Sequence, residues 1–400
     1  MRTYRGLFRT PGAKGFVISG FVGRIPMSML GIGITLLVSA VTGSIATAGA
    51  VAAVFALATA VGAPVMGRLS DRFGQARIVV PAVLAHGGAL VALMLLAQAE
   101  APVWALFAAA ALAGTTAVQL GSMVRARWSH LLDDPAKLHT AFSFESVADE
   151  VIFVTGPAFT AVVATSLNVY AGLIVAVVLA VSGTLAFSLL KSSQPPVVRH
   201  REHRGSPIAI PGVALLSVVL LGMGAVFGTV DIVTVAFAEE HGHKGVAGLL
   251  LASFSAGSMV SGLWYGSRAW KITLRSRFVR GLGVFAVGLT PIVLIGELAP
   301  MAVALFFAGL AISPTLITGF SLIERLVPAP QLNEGMSWLS TSIGFGVAIG
   351  AWAGGHLAET FGASNAYGFA FGCALLAALV GLLGSGWLRT PVVSEYRSHS

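Results

Sequence analysis

The sequence predicts an all-α membrane protein whose twelve spanning helices form two six-helix halves. Three observations lead there. Of its 400 residues 56% are hydrophobic and only 10% charged, whereas about a quarter of residues are charged in ordinary soluble domains. Apolar stretches of roughly 18 to 25 residues recur along the whole length, each long enough to cross a hydrocarbon core of about 30 Å as a helix. A polar, basic, proline-bearing segment, KSSQPPVVRHREHRGS from Lys191 to Ser206, leaves six such stretches on either side of it.

The spans fall near 15–40, 44–66, 78–98, 102–124, 140–164, 169–190, 208–237, 246–265, 281–297, 301–323, 335–357 and 366–388. This arrangement gives an N-terminal bundle at 1–190, a linker at 191–206 and a C-terminal bundle at 207–400. An even number of crossings puts both chain ends on one side, and an excess of Lys and Arg marks cytoplasmic loops. With cytoplasmic ends, every Lys and Arg except Lys244 and Arg24 falls at a chain end or in an inward-facing loop. Topology thus explains the net charge of +8. A nucleic-acid partner is not expected, because the basic residues are spread over many loops rather than gathered on one face. Trp104, Trp128, Trp264, Trp270 and Trp387 fall at span ends, where an amphipathic ring is favoured. The first stretch is expected to remain a span, being long and without a small-residue cleavage site. The single cysteine, Cys373, excludes an intrachain disulfide. The expected location is a bacterial inner membrane, with the chain acting as a monomer.

Between the second and third spans stands GRLSDRFGQAR, Gly67 to Arg77, and at the same place in the second half stands GLWYGSR, Gly262 to Arg268. Such a repeat indicates an internal duplication. Glycines let helix ends approach closely, and a carboxylate such as Asp71 can sit at the positive N-terminus of a neighbouring helix while Arg72 and Arg77 pair with nearby acids. The first loop resembles the signature of the major facilitator superfamily, G-x-L-x-D-R-x-G followed by basic residues. Gly67, Leu69, Asp71, Arg72 and Gly74 match it, and Arg77 brings the basic charge late. The resemblance implies the major facilitator fold, a loop that latches the two halves on the inner side, and a central cavity lined by helices 1, 2, 4, 5, 7, 8, 10 and 11. The charges agree with that arrangement: Arg24 lies in the first span, Glu145, Asp149 and Glu150 in the fifth and Asp231 in the seventh.

Charges within membrane spans are costly and mark functional candidates. If the fifth helix begins near Thr140, a rise of about 1.5 Å per residue puts Glu145 roughly 8 Å in and Asp149 and Glu150 roughly 14 to 15 Å in. Glu145 is then expected near the inner interface, paired with Arg72, Arg125 or Arg127. Asp149 shares its helical face, together with Gly156 and Thr160, and Glu150 points about 100° away, with Pro157 below it. Arg24 stands at nearly the depth of Asp149, and the two are expected to pair. An arginine cannot shed its proton, so it needs an anion, either a carboxylate or a solute. Protonation of Asp149 or Glu150 would free it. Asp231 is a further proton-coupling candidate or a partner of Lys244. Trp338 and Trp352 are candidates for stacking a solute. His86 reads as a packed histidine, and His241 with His243 falls short of a metal site.

These features point to a secondary transporter that exports a small organic solute against protons, with no cofactor. Efflux branches of the family often carry G-P-x-x-G-G on the fifth helix; Gly156 and Pro157 match its first half, and Ala158, Phe159, Thr160 and Ala161 depart from the second. The fourth helix is also expected to lack the internal arginine common in drug/proton antiporters, since its first basic residue, Arg125, falls at the expected inner end of the span. The alternatives are a proton-coupled importer of a sugar or organic anion, or a membrane sensor or scaffold that does not transport. No P-loop, H-E-x-x-H or G-x-S-x-G motif supports an enzyme.

Overall fold

The computed structural model describes residues 6–197, 205–243 and 246–389. In the first half the helices are α1 (Ala13–Arg24) and α2 (Pro26–Thr42), α3 (Ile45–Phe73), α4 (Gln75–Gln98), α5 (Val103–Thr115) and α6 (Leu120–Leu131), α7 (Pro135–Ser166) and α8 (Ala171–Leu189). The second half holds α9 (Pro211–Glu240), α10 (Ala247–Gly266), α11 (Leu274–Leu294), α12 (Leu298–Gly309) and α13 (Ile312–Leu326), α14 (Leu332–Phe361) and α15 (Ala363–Leu383). Taking α1 with α2, α5 with α6 and α12 with α13 gives six spans per half. Eleven of the units are long and apolar enough to cross a membrane among the described residues. The remaining one, α14, is 30 residues long, and its many Gly, Ser and Thr residues lower its hydropathy. The fold is therefore all-helical and multi-pass. The face holding the chain ends and the basic loops is called the basic face below.

Local chemistry sets the boundaries. Pro26 at the first position of α2 breaks the first span directly after Arg24. Asp134 caps α7 by accepting from the Ala136 N–H, and Pro135 opens it, so this helix begins five residues before the expected Thr140. Similarly, Thr273 caps α11, which brings Arg275, Arg277 and Arg280 into its first turns on the basic face. Gly74, at φ 91°, separates α3 from α4 in a conformation that favours glycine.

The duplication is visible in packing. In the first half a Cβ on Gly62 would strike the Thr115 backbone and one on Gly114 that of Phe55; in the second, Gly257 meets Phe306 and Gly309 meets Phe254 in the same way. Gly62 and Gly257 are separated by the same interval as Gly67 and Gly262, and so are Gly114 and Gly309. Both crossings bring the second span of a half against its fourth, just where that fourth span is interrupted. Small residues also let α9 and α14 touch backbone to backbone, through Gly224, Gly228, Gly346 and Gly350.

Candidate functional site

Arg24 ends α1 inside the bundle, 2% exposed. Its Nε donates to the Gly20 carbonyl at 3.1 Å, its Nη1 to Asp149 Oδ1 at 2.7 Å and its Nη2 to Glu145 Oε2 at 2.5 Å. The four-residue spacing of the two carboxylates puts both on one face of α7, which is why a single guanidinium can take them together. Each carboxylate has a second donor from α6. Trp128 Nε1 donates to Glu145 Oε1 at 2.9 Å, and Arg125 Nη2 donates to Asp149 Oδ2 at 2.8 Å. The Arg125 guanidinium also lies 4.3 Å over the Phe320 ring of the second half. Two cations thus face two carboxylates in a closed, charge-balanced cluster.

Several expectations are corrected here. Glu145 is wholly buried within the bundle, enclosed by Arg24 of α1 and Trp128 of α6. Neither Arg72 nor Arg127 reaches it: Arg127 points to the other side of α6, donating to Gln75 Oε1, the Leu190 carbonyl and Ser193 Oγ. Trp128 is a buried donor and not an interfacial ring. Arg24 is held by two carboxylates, so protonating Asp149 alone would leave it paired with Glu145.

Glu150 lies outside the cluster. Its Oε1 accepts from Ser258 Oγ of α10 at 2.5 Å, and Ser258 is 2.9 Å from Ser313 Oγ of α13. No cation pairs with Glu150 among the described residues. Asp231 is exposed and makes no ion pair among the described residues. Its expected partner, Lys244, lies outside them. Gly156 lets α7 cross α2, where a Cβ would collide with Ser28, and Ser28 Oγ donates to the Ile152 carbonyl at 2.9 Å. Pro157 sits within α7 one residue on.

On the basic face Asp71 caps α14 across the seam between the halves. It accepts from the Asn333 side chain at 2.6 Å, from the Asn333 N–H at 3.3 Å and from the Glu334 N–H at 2.9 Å, the contact that a carboxylate makes with a positive helix end. Gly67 permits the approach, since a Cβ there would press on Glu334. Arg68 clamps Glu334 with two bonds, at 2.9 and 2.8 Å, and Ser206 also donates to Glu334. Gln75 joins in, donating to Asn333 Oδ1 at 3.2 Å. Further contacts between the halves are His139 with the Tyr265 carbonyl, Thr140 with the Gly266 carbonyl and Thr341 with the Ala60 carbonyl. They lie between the basic face and mid-depth, so the halves meet there.

Arg72 and Arg77 take no part in this seam. Both are exposed and neither makes an ion pair with an acid among the described residues, contrary to expectation; Arg72 instead lies 5.1 Å over the Phe73 ring. Trp338 is also relocated from a solute-stacking role to the seam, its indole N–H donating to Ser206 Oγ at 3.3 Å. Trp352 remains exposed, parallel to His356 at 6.5 Å. His86 is buried, with Nδ1 2.7 Å from the Ala113 carbonyl, and His241 bonds the Phe237 and Gly296 carbonyls. Arg68, Gln75, Ser258, Asn333 and Glu334 had no sequence signal of their own. Their partners lie in the opposite half of the chain.

Replacing Asp71 by asparagine removes the charge and part of the acceptor capacity at the α14 N-terminus. The loss of such a cap costs about 1–2 kcal/mol, which is a factor of roughly 5 to 30 in the population of a basic face that has come apart. A cysteine at the buried Ser337, in a Cys373→Ser background, should therefore be labelled about tenfold faster when Asp71→Asn is added. Equal labelling rates would remove Asp71 from the latch.

A family model described as Major Facilitator Superfamily matches residues 16–244 and 215–399. No curated protein matches the sequence significantly. Among solved structures, a bacterial homologue of the iron transporter ferroportin in an outward-facing state superposes with a TM-score of 0.72 at 17% identity, covering 94% of this chain and 99% of its own. The human organic anion transporter MFSD10 (TETRAN) gives 0.71 at 14% identity, over 93% and 99%. The Escherichia coli fucose:proton symporter gives 0.68 at 9% identity, over 92% and 99%. At these identities the likeness is one of fold.

Proposed function

Because the chain belongs to the Major Facilitator Superfamily, it is a secondary transporter and not an enzyme, and we propose that it exports a small organic solute in exchange for protons. The observation that carries this reading is Glu150, a partly buried carboxylate of the fifth span that pairs with no cation among the described residues and hydrogen-bonds Ser258 in the opposite half. A carboxylate left uncompensated in low dielectric favours taking up a proton. Protonation turns one of its oxygens from an acceptor into a donor, which changes the contact between the halves at the same moment. Asp231, on the other half, is the second proton-coupling candidate. The cluster of Arg24, Arg125, Glu145 and Asp149 is assigned a positioning role in α1, α6 and α7.

In this reading residues 1–190 and 207–400 rock against each other about the 191–206 linker, as a monomer in a bacterial inner membrane. The chain ends are cytoplasmic, following the Lys and Arg distribution, which makes the closed basic face the inner one and the state outward-facing. Trp352 is the remaining candidate for contact with solute. The test is purified protein in proteoliposomes with an imposed pH gradient and a panel of organic solutes, read in both directions. Solute movement opposite to the proton gradient is expected; movement with it would make the protein a symporter, and none with any gradient would overturn coupled transport.

A further inference from the structure

We propose that the pocket where α5 gives way to α6 binds water, held by His86, Thr184 and Gln119, and that this water lets the fourth span bend there. The pocket holds about 80 Å³ inside the first half and reaches from the end of α1 to α4 and α8. His86 and Thr184 line it and are only 4% and 2% exposed. The Ala113 carbonyl can only accept, so the Nδ1 atom that meets it at 2.7 Å carries the imidazole proton. Nε2 of the neutral ring is then a bare acceptor, and it has no partner among the described residues. The Thr184 hydroxyl has none among them either, whereas the other threonine of the lining, Thr59, donates to the Phe55 carbonyl at 2.9 Å.

The backbone adds to this demand. α5 ends at Thr115 and α6 starts at Leu120, so a helix end and a helix start face each other within one span, each with unpaired groups. Gln119 precedes α6 without capping it through its side chain, and no backbone N–H reaches the Ala117 carbonyl among the described residues. Both residues line the pocket. Donors and acceptors are thus mixed around one small space: His86 Nε2 and a carbonyl accept, while the Gln119 amide and the Thr184 hydroxyl can donate. An anion would meet the acceptors, and a cation would lie beside Arg24, which also lines the space. A neutral molecule that donates and accepts satisfies every group. At roughly 30 Å³ each, about two or three waters fit the 80 Å³.

The second half shows a packed alternative. Ala308 stands to Ala113 as Gly309 stands to Gly114. Where His86 meets Ala113, the second half brings Gly288 against Ala308, so closely that a Cβ on the glycine would lie 3.3 Å from the Ala308 Cα. Only Leu310 and Ala311 separate α12 from α13, and Ala311 is buried. That joint is closed by direct contact. In the first half water takes the place of the contact and satisfies the freed backbone groups, the condition on which an interruption is tolerated within a span. Water re-forms its hydrogen bonds at new angles, so a joint held by it can change its bend without losing packing.

Water-edited solid-state NMR of the full chain in lipid, with nitrogen-labelled histidine, tests the site; the His86 signals are those lost in His86→Gln. An unprotonated Nε2 that receives polarisation from water is expected. Transfer should fall about threefold or more in Thr184→Val, which keeps the shape of the side chain and removes one hydrogen bond to water. Replacing sodium by choline in the buffer should leave the signal in place. A protonated Nε2, no transfer from water, equal transfer in Thr184→Val, or a shift on removing sodium would each overturn the water site. Hydrogen exchange read by mass spectrometry tests the joint. Amides of 118–123 are expected to exchange about tenfold faster or more than those of 310–316, and to slow in Thr184→Val. Equal exchange at the two joints in the wild-type chain, or no slowing in the variant, would overturn the role of water in the bend.

Discussion

Replacing Arg24 by glutamine is expected to destabilise the protein by about 3–5 kcal/mol, the range measured when one partner of a buried ion pair is removed. Glu145 would lose its cation altogether and keep only the Trp128 N–H, while Asp149 would keep Arg125. The second substitution that restores balance is therefore Glu145→Gln, and Arg24→Gln with Glu145→Gln should recover most of the lost stability. Asp149→Asn should rescue less, because it strands Arg125 and leaves Glu145 uncompensated. Thermal unfolding in one detergent, read for the single, double and wild-type chains, gives the two coupling energies. Additive effects for Arg24 and Glu145 would mean that the pair does not act as a unit.

Glu150→Gln is expected to do the opposite: leave stability nearly unchanged, or raise it, and abolish use of the proton gradient. Glutamine keeps an oxygen that can accept from Ser258, and it removes a charge that has no cation among the described residues. If Glu150 carries the proton, exchange of labelled for unlabelled solute continues while gradient-driven transport falls by at least about tenfold, equivalent to roughly 1.4 kcal/mol or more of lost driving linkage. Asp149→Asn, by contrast, should lower stability and both transport modes together, since it opens the charge-balanced cluster. Full gradient-driven transport in Glu150→Gln would shift the coupling role to Asp231, and the same experiment with Asp231→Asn then decides it.

Much of the architecture could be read from apolar length and from where Lys and Arg stand, because both follow directly from the bilayer as solvent. Asp71 at a neighbouring helix N-terminus was readable for a similar reason, since a helix end has a fixed electrostatic sign. Depth was less secure. The apolar run of the fifth span starts near Thr140, but Asp134 and Pro135 start the helix earlier, which places Glu145 ten residues into it, about 15 Å along its axis. Its burial comes from Arg24 and Trp128 closing over it, which no helix boundary announces. Rotation was not readable at all: nothing local in RARW says that Arg125 and Trp128 face α7 while Arg127 faces Gln75. The interruptions after Thr115 and Gly309 arise where two backbones meet across glycine; the first carries no proline, and the second has Pro314 in the first turn of α13, a mark that the surrounding apolar run hid.

The cluster of Arg24, Arg125, Glu145 and Asp149 has an electrical consequence. Two cations and two carboxylates fixed within one half carry no net charge, so moving them through the membrane potential does no work, whereas one uncompensated charge crossing the full field exchanges about 2.3 kcal/mol per 100 mV. In the proposed mechanism, voltage dependence of turnover would then come from charges outside the cluster, among them Glu150, Asp231 and those of the solute and the protons.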